Sequence, residues 1–533
     1  MVRRLAAGAA VVLAASALLI VSARRAARET DVPPPVAPRG ELTVAYPEEP
    51  PLLNPYLAAG ENNATRDLLR PVLPTLLEIT PDLAYRPALA VDPPRVSEGG
   101  TFRVRFRLDR RARWSDGTAI TASDVRFTWE VMKDLSRPVA DRSGYERLSD
   151  IKVIDAATLD LVFDRAYPSW QDLFSAGDFV LPRHALEGRD FATAFDAGPP
   201  VAGGPFEVEK VTPGLEVVYR PNPRWWGSGP GLERVRVQFV PEIQTALLLL
   251  EKGEVDVVVS TTQAALSKRI SAIGETRESS AFGSAWWELA FNHTRAGPSD
   301  PAFRRAVAFG FGRNGFVDAV IKEDGRSLDD LAPGMGAGAS FARFRHNPGR
   351  ARSLLAEEGR QLNDAGEFLF EGRTALAISA PAESEIAGLL ERALHAGLKG
   401  VGVRTEVQNP RGVNFVARTL VEGDYDLALW ERHGTPSYFV GRHLHSRYVP
   451  PAGLNFYRVT SPGLDSAVEA LERSPSMDRR LSDLMAAMAE EVPALPLFES
   501  KAFLAFQPRV TGPEANATVD GPFWNLEDWR LER

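Results

Sequence analysis

Residues 107–129, RLDRRARWSDGTAITASDVRFTW, constrain the fold more than any other stretch of this chain. The text reads as the end of a strand, a tight turn at Asp116-Gly117 and a helix opened by Thr121. Thr121 and Asp124 stand at capping-box spacing, where each side chain satisfies a backbone N–H at the helix start. Val125, Thr128, Trp129 and Met132 then continue as an apolar stripe at helical spacing. Taken alone, such a unit predicts a packed domain of mixed type and nothing more specific.

The chain has 533 residues, and a single hydrophobic core stops growing near about 250–300 residues, so two or three lobes are expected. The formal net charge of −8 and the absence of a basic stripe with interleaved aromatics argue against nucleic acid as a partner. Cysteine is absent, which excludes disulfides, thiolate nucleophiles and the lipid-bearing cysteine that tethers many exported bacterial proteins. Nucleophile elbows, Ser-x-x-Lys sets, HExxH and phosphate loops are also missing, so neither an enzyme nor a cofactor is expected.

Arg3-Arg4 precede an uninterrupted apolar and small-residue run, residues 5–23, followed by Arg24-Arg25 and the proline-rich stretch DVPPPVAPRG over residues 31–40. The run has the lower-limit length of a membrane span, and the arginines after it resemble a stop-transfer flank. Two readings remain: a retained membrane anchor, or a signal cleaved after Val21-Ser22-Ala23. Either places the rest outside the cytoplasm.

From Glu41 onward short strands alternate with capped helices. LTVAY, TFRVRFRL, TLDLVF, RVRVQFV, VDVVV, WELAFN, YDLALW and VPALPLFESKAFLAF read as strands. Helical text occupies residues 62–77, broken by Pro71 and Pro74, and residues 243–252. Asp300-Pro301 and Asn347-Pro348 open further helices. The last stretch, FWNLEDWRL, reads as strand.

Six collinear segments carry a resemblance: the stretch at 107–129, AGGPFEVEKVTPGLEVVYRPNPRWWG, LLLLEKGEVDVVV, FNHTRAGPSDPAFRRAVAFGFGRNGFV, NPGRARSLLAEEG and EVPALPLF. Together they resemble the extracytoplasmic solute-binding proteins of family 5, which serve peptide and nickel ABC transporters. The resemblance implies an α/β, two-lobed periplasmic-binding-protein-like (type II, Venus-flytrap) fold with an extra inserted α/β domain. By analogy, lobe one combines residues 41–77, 203–285 and 501–533, the insert is 78–202, and lobe two is 286–500. It also implies a monomer that captures a peptide or peptide-like solute and hands it to an ABC permease and its ATPase. A transporter-independent regulator, a lipid or glycan carrier, and a nickel-chelate binder are alternatives on the same fold.

The resemblance also nominates pocket residues. Trp430 matches a family tryptophan at the pocket wall, after which peptide-binding members place an aspartate for the peptide's free amine. Here that slot holds His433; a buried unpaired ammonium is costly, so the departure implies a different ligand or a non-standard peptide, unless Glu431 or Glu61 substitutes from nearby. Tyr145, Asn62, Trp286, Asn292 and Phe498 are further candidates for ligand contact. His443 and His445, in a His-x-His on a strand, would share one face and, with His433, invite a metal reading, although loop histidines are more commonly solvated. The pairs Arg110-Arg111 and Arg304-Arg305 are expected to be solvated surface.

Overall fold

The computed structural model describes residues 40–532, apart from 98–99, 332–338, 358, 383, 411–414, 437–440 and 475–476. The apolar run at residues 5–23 lies outside the described residues. No helix among the described residues is long and apolar enough to cross a membrane.

An eleven-stranded sheet organises the molecule, and two long strands, Arg277–Phe291 and Ala494–Phe506, run through its middle. On one side Val257–Thr261, Glu41–Tyr46 and Arg234–Phe239 pair in parallel or flank the long strands, and the hairpin of Glu216–Pro221 and Phe206–Thr212 completes the edge. On the other side Leu427–His433 pairs antiparallel with residues 285–291, and Leu376–Ser379 and Thr405–Val407 follow in parallel. The register between the long strands shifts between Phe282 and Trp286. Residues 277–282 therefore belong to the first half of the sheet and residues 285–291 to the second.

The apolar core divides at the same place. One cluster draws on residues from Leu42 to Ala285 and from Ala502 to Trp529, and a second on Trp286 to Phe498. Gly283 sits at the division, where an added Cβ would lie 2.8 Å from the Ala517 carbonyl oxygen. Burial of apolar surface on this scale, at about 25 cal/mol per Å2, holds each cluster together.

Local chemistry explains the elements. Thr121 and Asp124 form the capping box of the Ala122–Lys133 helix, with the Thr121 N–H donating to Asp124 Oδ2 at 2.7 Å. Val125, Thr128, Trp129 and Met132 are buried on one side of that helix. Asp300 accepts from the Ala302 N–H at 2.8 Å and Pro301 starts the Pro301–Gly310 helix. The Asn63–Leu69 helix stops short of Pro71, which has no N–H to give to a further helical turn. A separate antiparallel sheet of four strands, Arg95–Ser97, Arg103–Arg107, Thr158–Phe163 and Leu148–Asp155, lies within the segment expected as an insert. Its apolar face is continuous with the first cluster, through Val104, Phe106, Leu159 and Trp114.

Three expectations need correction. The strand expected from Trp286 begins at Arg277, because Arg277–Phe282 pair with Phe506–Lys501. FWNLEDWRL is a turn leading into a 3-10 stretch, Leu526–Asp528, with a two-residue strand at Arg530–Leu531. Arg304 is buried rather than solvated, because its guanidinium donates to the carbonyls of Glu491 (2.7 Å), Pro298 (2.8 Å) and Ser299 (3.0 Å).

Candidate ligand-binding site

A cavity of about 710 Å3 opens where the two core clusters meet. Its size is that of a small-molecule or short-peptide pocket. One wall comes from residues of the first cluster's half of the chain, including Tyr46, Glu61 and the start of the Asn63–Leu69 helix. The other comes from the crossing strands and the cavity end of Leu427–His433.

On the first wall the helix N-cap is Asn62, whose Oδ1 accepts from the Thr65 N–H at 2.9 Å and whose Nδ2 donates to the Ala59 carbonyl at 2.9 Å. Asn62 thus lines the cavity with its polar atoms engaged locally. Glu61 forms an ion pair with Arg66. One residue on, Asp67 is buried and accepts from the Tyr46 hydroxyl at 2.7 Å. Burial pushes the Asp67 carboxyl up to about 6, against the opposing influence of His433, Tyr46 and Arg66.

The second wall has two faces of different character. Glu288, fully buried, accepts from Arg432 Nε (2.7 Å), the Tyr457 hydroxyl (2.7 Å) and Trp286 Nε1 (3.0 Å). The Arg432 guanidinium also lies 5.5 Å from the Trp430 ring centroid and 5.2 Å from that of Tyr457. Trp430 and Tyr457 stack at 6.0 Å with 21° between planes.

Across the strand pair Trp287 stands opposite Glu431 and Ala285 opposite His433, so Trp287, Glu431 and His433 share the other face. There Trp287 Nε1, Glu431 Oε1 and His433 Nε2 are buried with no hydrogen-bond partner among the described residues. His433 Nε2 is 3.8 Å from Glu431 Oε2, an ion-pair distance beyond hydrogen-bond reach. Burial works against the charged imidazolium, but Glu431 and Asp67 outweigh it and the His433 pKa is raised.

Six of the nine residues expected at the site therefore line the cavity: Glu61, Asn62, Trp286, Trp430, Glu431 and His433. Three do not. Tyr145 is in the core, its hydroxyl donating to Asp178 Oδ2 at 3.2 Å and accepting from the Phe174 N–H at 3.0 Å. Asn292 is buried and ties down a loop by donating to the Gly423 (2.9 Å) and Tyr425 (3.1 Å) carbonyls. Phe498 is fully buried, packed parallel to Trp287 with ring centroids 6.5 Å apart. In each case an interior partner has taken the group that would have met a ligand.

The His-x-His expectation is also corrected. Gly441–Leu444 is helical, and His445 accepts from the Arg447 N–H at 3.2 Å and contacts Glu469 Oε1 at 3.4 Å. His443 lies against Arg432, with Nδ1 3.2 Å from its NH1. Among the described residues no group of three His, Cys, Asp or Glu could hold a metal ion.

Sequence reasoning missed Tyr46, Asp67, Trp287 and Arg432. Strand alternation could have flagged Trp287 and Arg432, since one of each adjacent pair must face the opposite way. No local signal marks Asp67.

Comparison with known proteins bears on what this cavity is. Residues 84–447 match the profile of the bacterial extracellular solute-binding proteins, family 5 middle region. The chain belongs to that family. It is 24% identical over 505 residues to the oligopeptide-binding protein OppA of Mycobacterium tuberculosis, covering 90% of this chain and 83% of that one. Its fold resembles that of the oligopeptide-binding protein AppA from Bacillus subtilis, solved with a nonapeptide (TM-score 0.83, 18% identity, 93% of this chain and 100% of that one). It also resembles NikZ from Campylobacter jejuni, solved with Ni(L-His) (TM-score 0.81, 18% identity, 93% and 100%). The family relationship makes the cavity of this solute-binding protein the natural place to seek its solute.

Proposed function

We propose that this solute-binding protein captures a peptide or peptide-like small solute in the cavity and delivers it to an ABC transporter permease, with no catalytic step. The observation that carries the reading is the open polar face of the crossing strands. Trp287 Nε1 and His433 Nε2 can donate and Glu431 Oε1 can accept, all three without partners and beside an aromatic wall. Leaving such groups buried and unpaired costs about 1–3 kcal/mol each; a solute amide would satisfy both polarities at once, and an α-ammonium would donate to Glu431. Glu431, rather than a residue in the His433 position, is then the partner for a ligand ammonium. The length and order of the match to OppA support a peptide-like ligand.

Closure follows from placement. The walls belong to two core clusters joined by the strands that cross at Gly283. A solute touching both walls favours the state in which they are close, which is a population shift. The apolar run at residues 5–23 supports export or tethering at the outer face of the cytoplasmic membrane, with the protein acting as a monomer.

Isothermal calorimetry on the full chain tests the reading, using trialanine, N-acetyl-trialanine, a pool of di- to pentapeptides and Ni(L-His). Trialanine is expected to bind and the acetylated peptide to bind at least about tenfold more weakly, the equivalent of one lost charged hydrogen bond. Binding of Ni(L-His) with no binding of any peptide would overturn the peptide reading in favour of a chelate.

A further inference from the structure

A second set of charges bridges the two halves away from the cavity lining. Glu472 is the last residue of the Pro462–Glu472 helix, in the half that holds the second core cluster. Its carboxylate lies 2.7 Å from Arg147 NH2 and 3.7 Å from Arg165 NH2, both from the four-stranded-sheet region of the first half. Arg447, on Glu472's own side, lies 3.3 Å away. Beside this group the Tyr448 hydroxyl donates to Glu146, which crosses the same gap. The side chains of Arg147 and Glu472 retain only 11% and 10% of their exposure, so solvent screens this pair weakly.

The position of Glu472 gives the cluster a direction. A carboxylate at a helix C-terminus faces the negative end of the helix dipole, and the last turn of this helix carries no basic residue. With the halves apart, Arg447 remains within reach of Glu472; with them together, Arg147 and Arg165 are added. The carboxylate is therefore better stabilised when the halves meet. Elsewhere Arg269 NH1 of the Leu266–Ser271 helix lies 3.1 Å from Glu385 Oε2, at the start of the Glu385–Gly400 helix. That pair crosses the gap as well.

We infer that Glu472, clamped by Arg147 and Arg165 across the gap, is an electrostatic latch that sets how far the two halves stay closed before any solute contributes. The inference rests on the hinge-closure reading above. The latch lowers the cost that a solute must meet on closing, so its strength tunes solute affinity through the population of the closed state. Ionic strength tunes it in turn, because the same charges meet salt once the halves part, which favours the open state.

The chain has no cysteine, so spin labels can be placed on the full-length protein without background, at Lys152→Cys in the first half and Lys399→Cys in the second. Double electron–electron resonance then reads the distance between halves. Raising NaCl from about 20 to about 500 mM is expected to move the distribution toward longer distances, because that change shortens the screening length severalfold. Glu472→Gln and Arg147→Gln are each expected to lower the closed-to-open ratio by about fivefold at low salt and to blunt the salt response, with a non-additive double variant. Arg147→Gln serves alone if Glu472→Gln does not fold. A distribution that responds to trialanine but to neither salt nor either variant would overturn the latch and leave the closure reading standing. A distribution that responds to none of these would overturn both.

Discussion

Two glutamates, one on a crossing strand and one on its neighbour Leu427–His433, sit on opposite faces of the same strand pair and have opposite circumstances. Glu288 is fully buried with three donors converging on it, from Trp286, Arg432 and Tyr457. Glu431, which stands opposite Trp287 on the other face, keeps one oxygen without a partner, as Trp287 keeps its indole N–H. Both faces meet the cavity, and only on one is the carboxylate complete in its donors. A buried carboxylate that has all its donors is part of the scaffold; one that lacks them is waiting for a group from outside the chain. Glu288 thus fixes the wall, holding Arg432 against the rings of Trp430 and Tyr457, and Glu431 offers the contact.

The largest effect should come from breaking the complete face. Glu288→Ala removes the one acceptor shared by the Arg432 guanidinium, the Trp286 N–H and the Tyr457 hydroxyl. Removing one partner of a buried ion pair costs about 3–5 kcal/mol, so Tm should fall by about 4 °C in differential scanning calorimetry. A fall of less than about 2 °C would erase the distinction between the faces. Glu431→Gln should do the reverse. Its Tm should stay within about 2 °C of the parent, while calorimetric affinity for trialanine drops about tenfold or more, because a charged acceptor for the ligand ammonium is lost. A large loss of stability with unchanged affinity would assign Glu431 to the scaffold as well.

Trp287→Phe sharpens the same contrast with a smaller change. The ring that packs beside Phe498 is kept and the N–H is removed, so affinity should fall about threefold to tenfold, the range for one neutral hydrogen bond. The matching change on the complete face, Trp286→Phe, orphans part of Glu288 and should show in Tm before it shows in affinity.

How much of this could be read from the chain depends on the range of the interaction concerned. The capping box at Thr121 and Asp124 and the Asp300-Pro301 start are local, and both stand in the structure where their spacing places them. Trp286 is nominated and its neighbour Trp287 is not, because which ring meets which face depends on register. That register is set by pairing with Leu427–His433, some 140 residues away, and by the shift between Phe282 and Trp286. Tyr145 and Asn292 are nominated by the resemblance, and the carboxylate and carbonyls that engage them in the interior lie 33 and 131 residues away. Arg304 misled for the same reason, its helix being buried against the residues around Glu491. Asp67 is the plainest case, an acidic residue in a short helix whose burial appears once Tyr46 is brought over it.

Asp67 also supplies the smallest expected effect and the one that depends on pH. Burial raises its carboxyl from 3.8 to about 6, so the folded protein binds that proton more tightly than the unfolded chain does. Below about pH 4 both states are protonated and the residue costs nothing. As pH rises through about 6 the folded state must ionise a buried group, and that cost is fully present above it. Asp67→Asn removes the charge and keeps an oxygen for the Tyr46 hydroxyl, at the loss of the attraction to His433. Its Tm should therefore exceed the parent's by about 2 °C at pH 7.5, with the difference vanishing toward pH 4. A difference of the opposite sign at pH 7.5 would mean that the ionised Asp67 is stabilised across the cavity by His433 more than it is penalised by burial. The first wall would then resemble the complete face around Glu288 rather than the open face around Glu431.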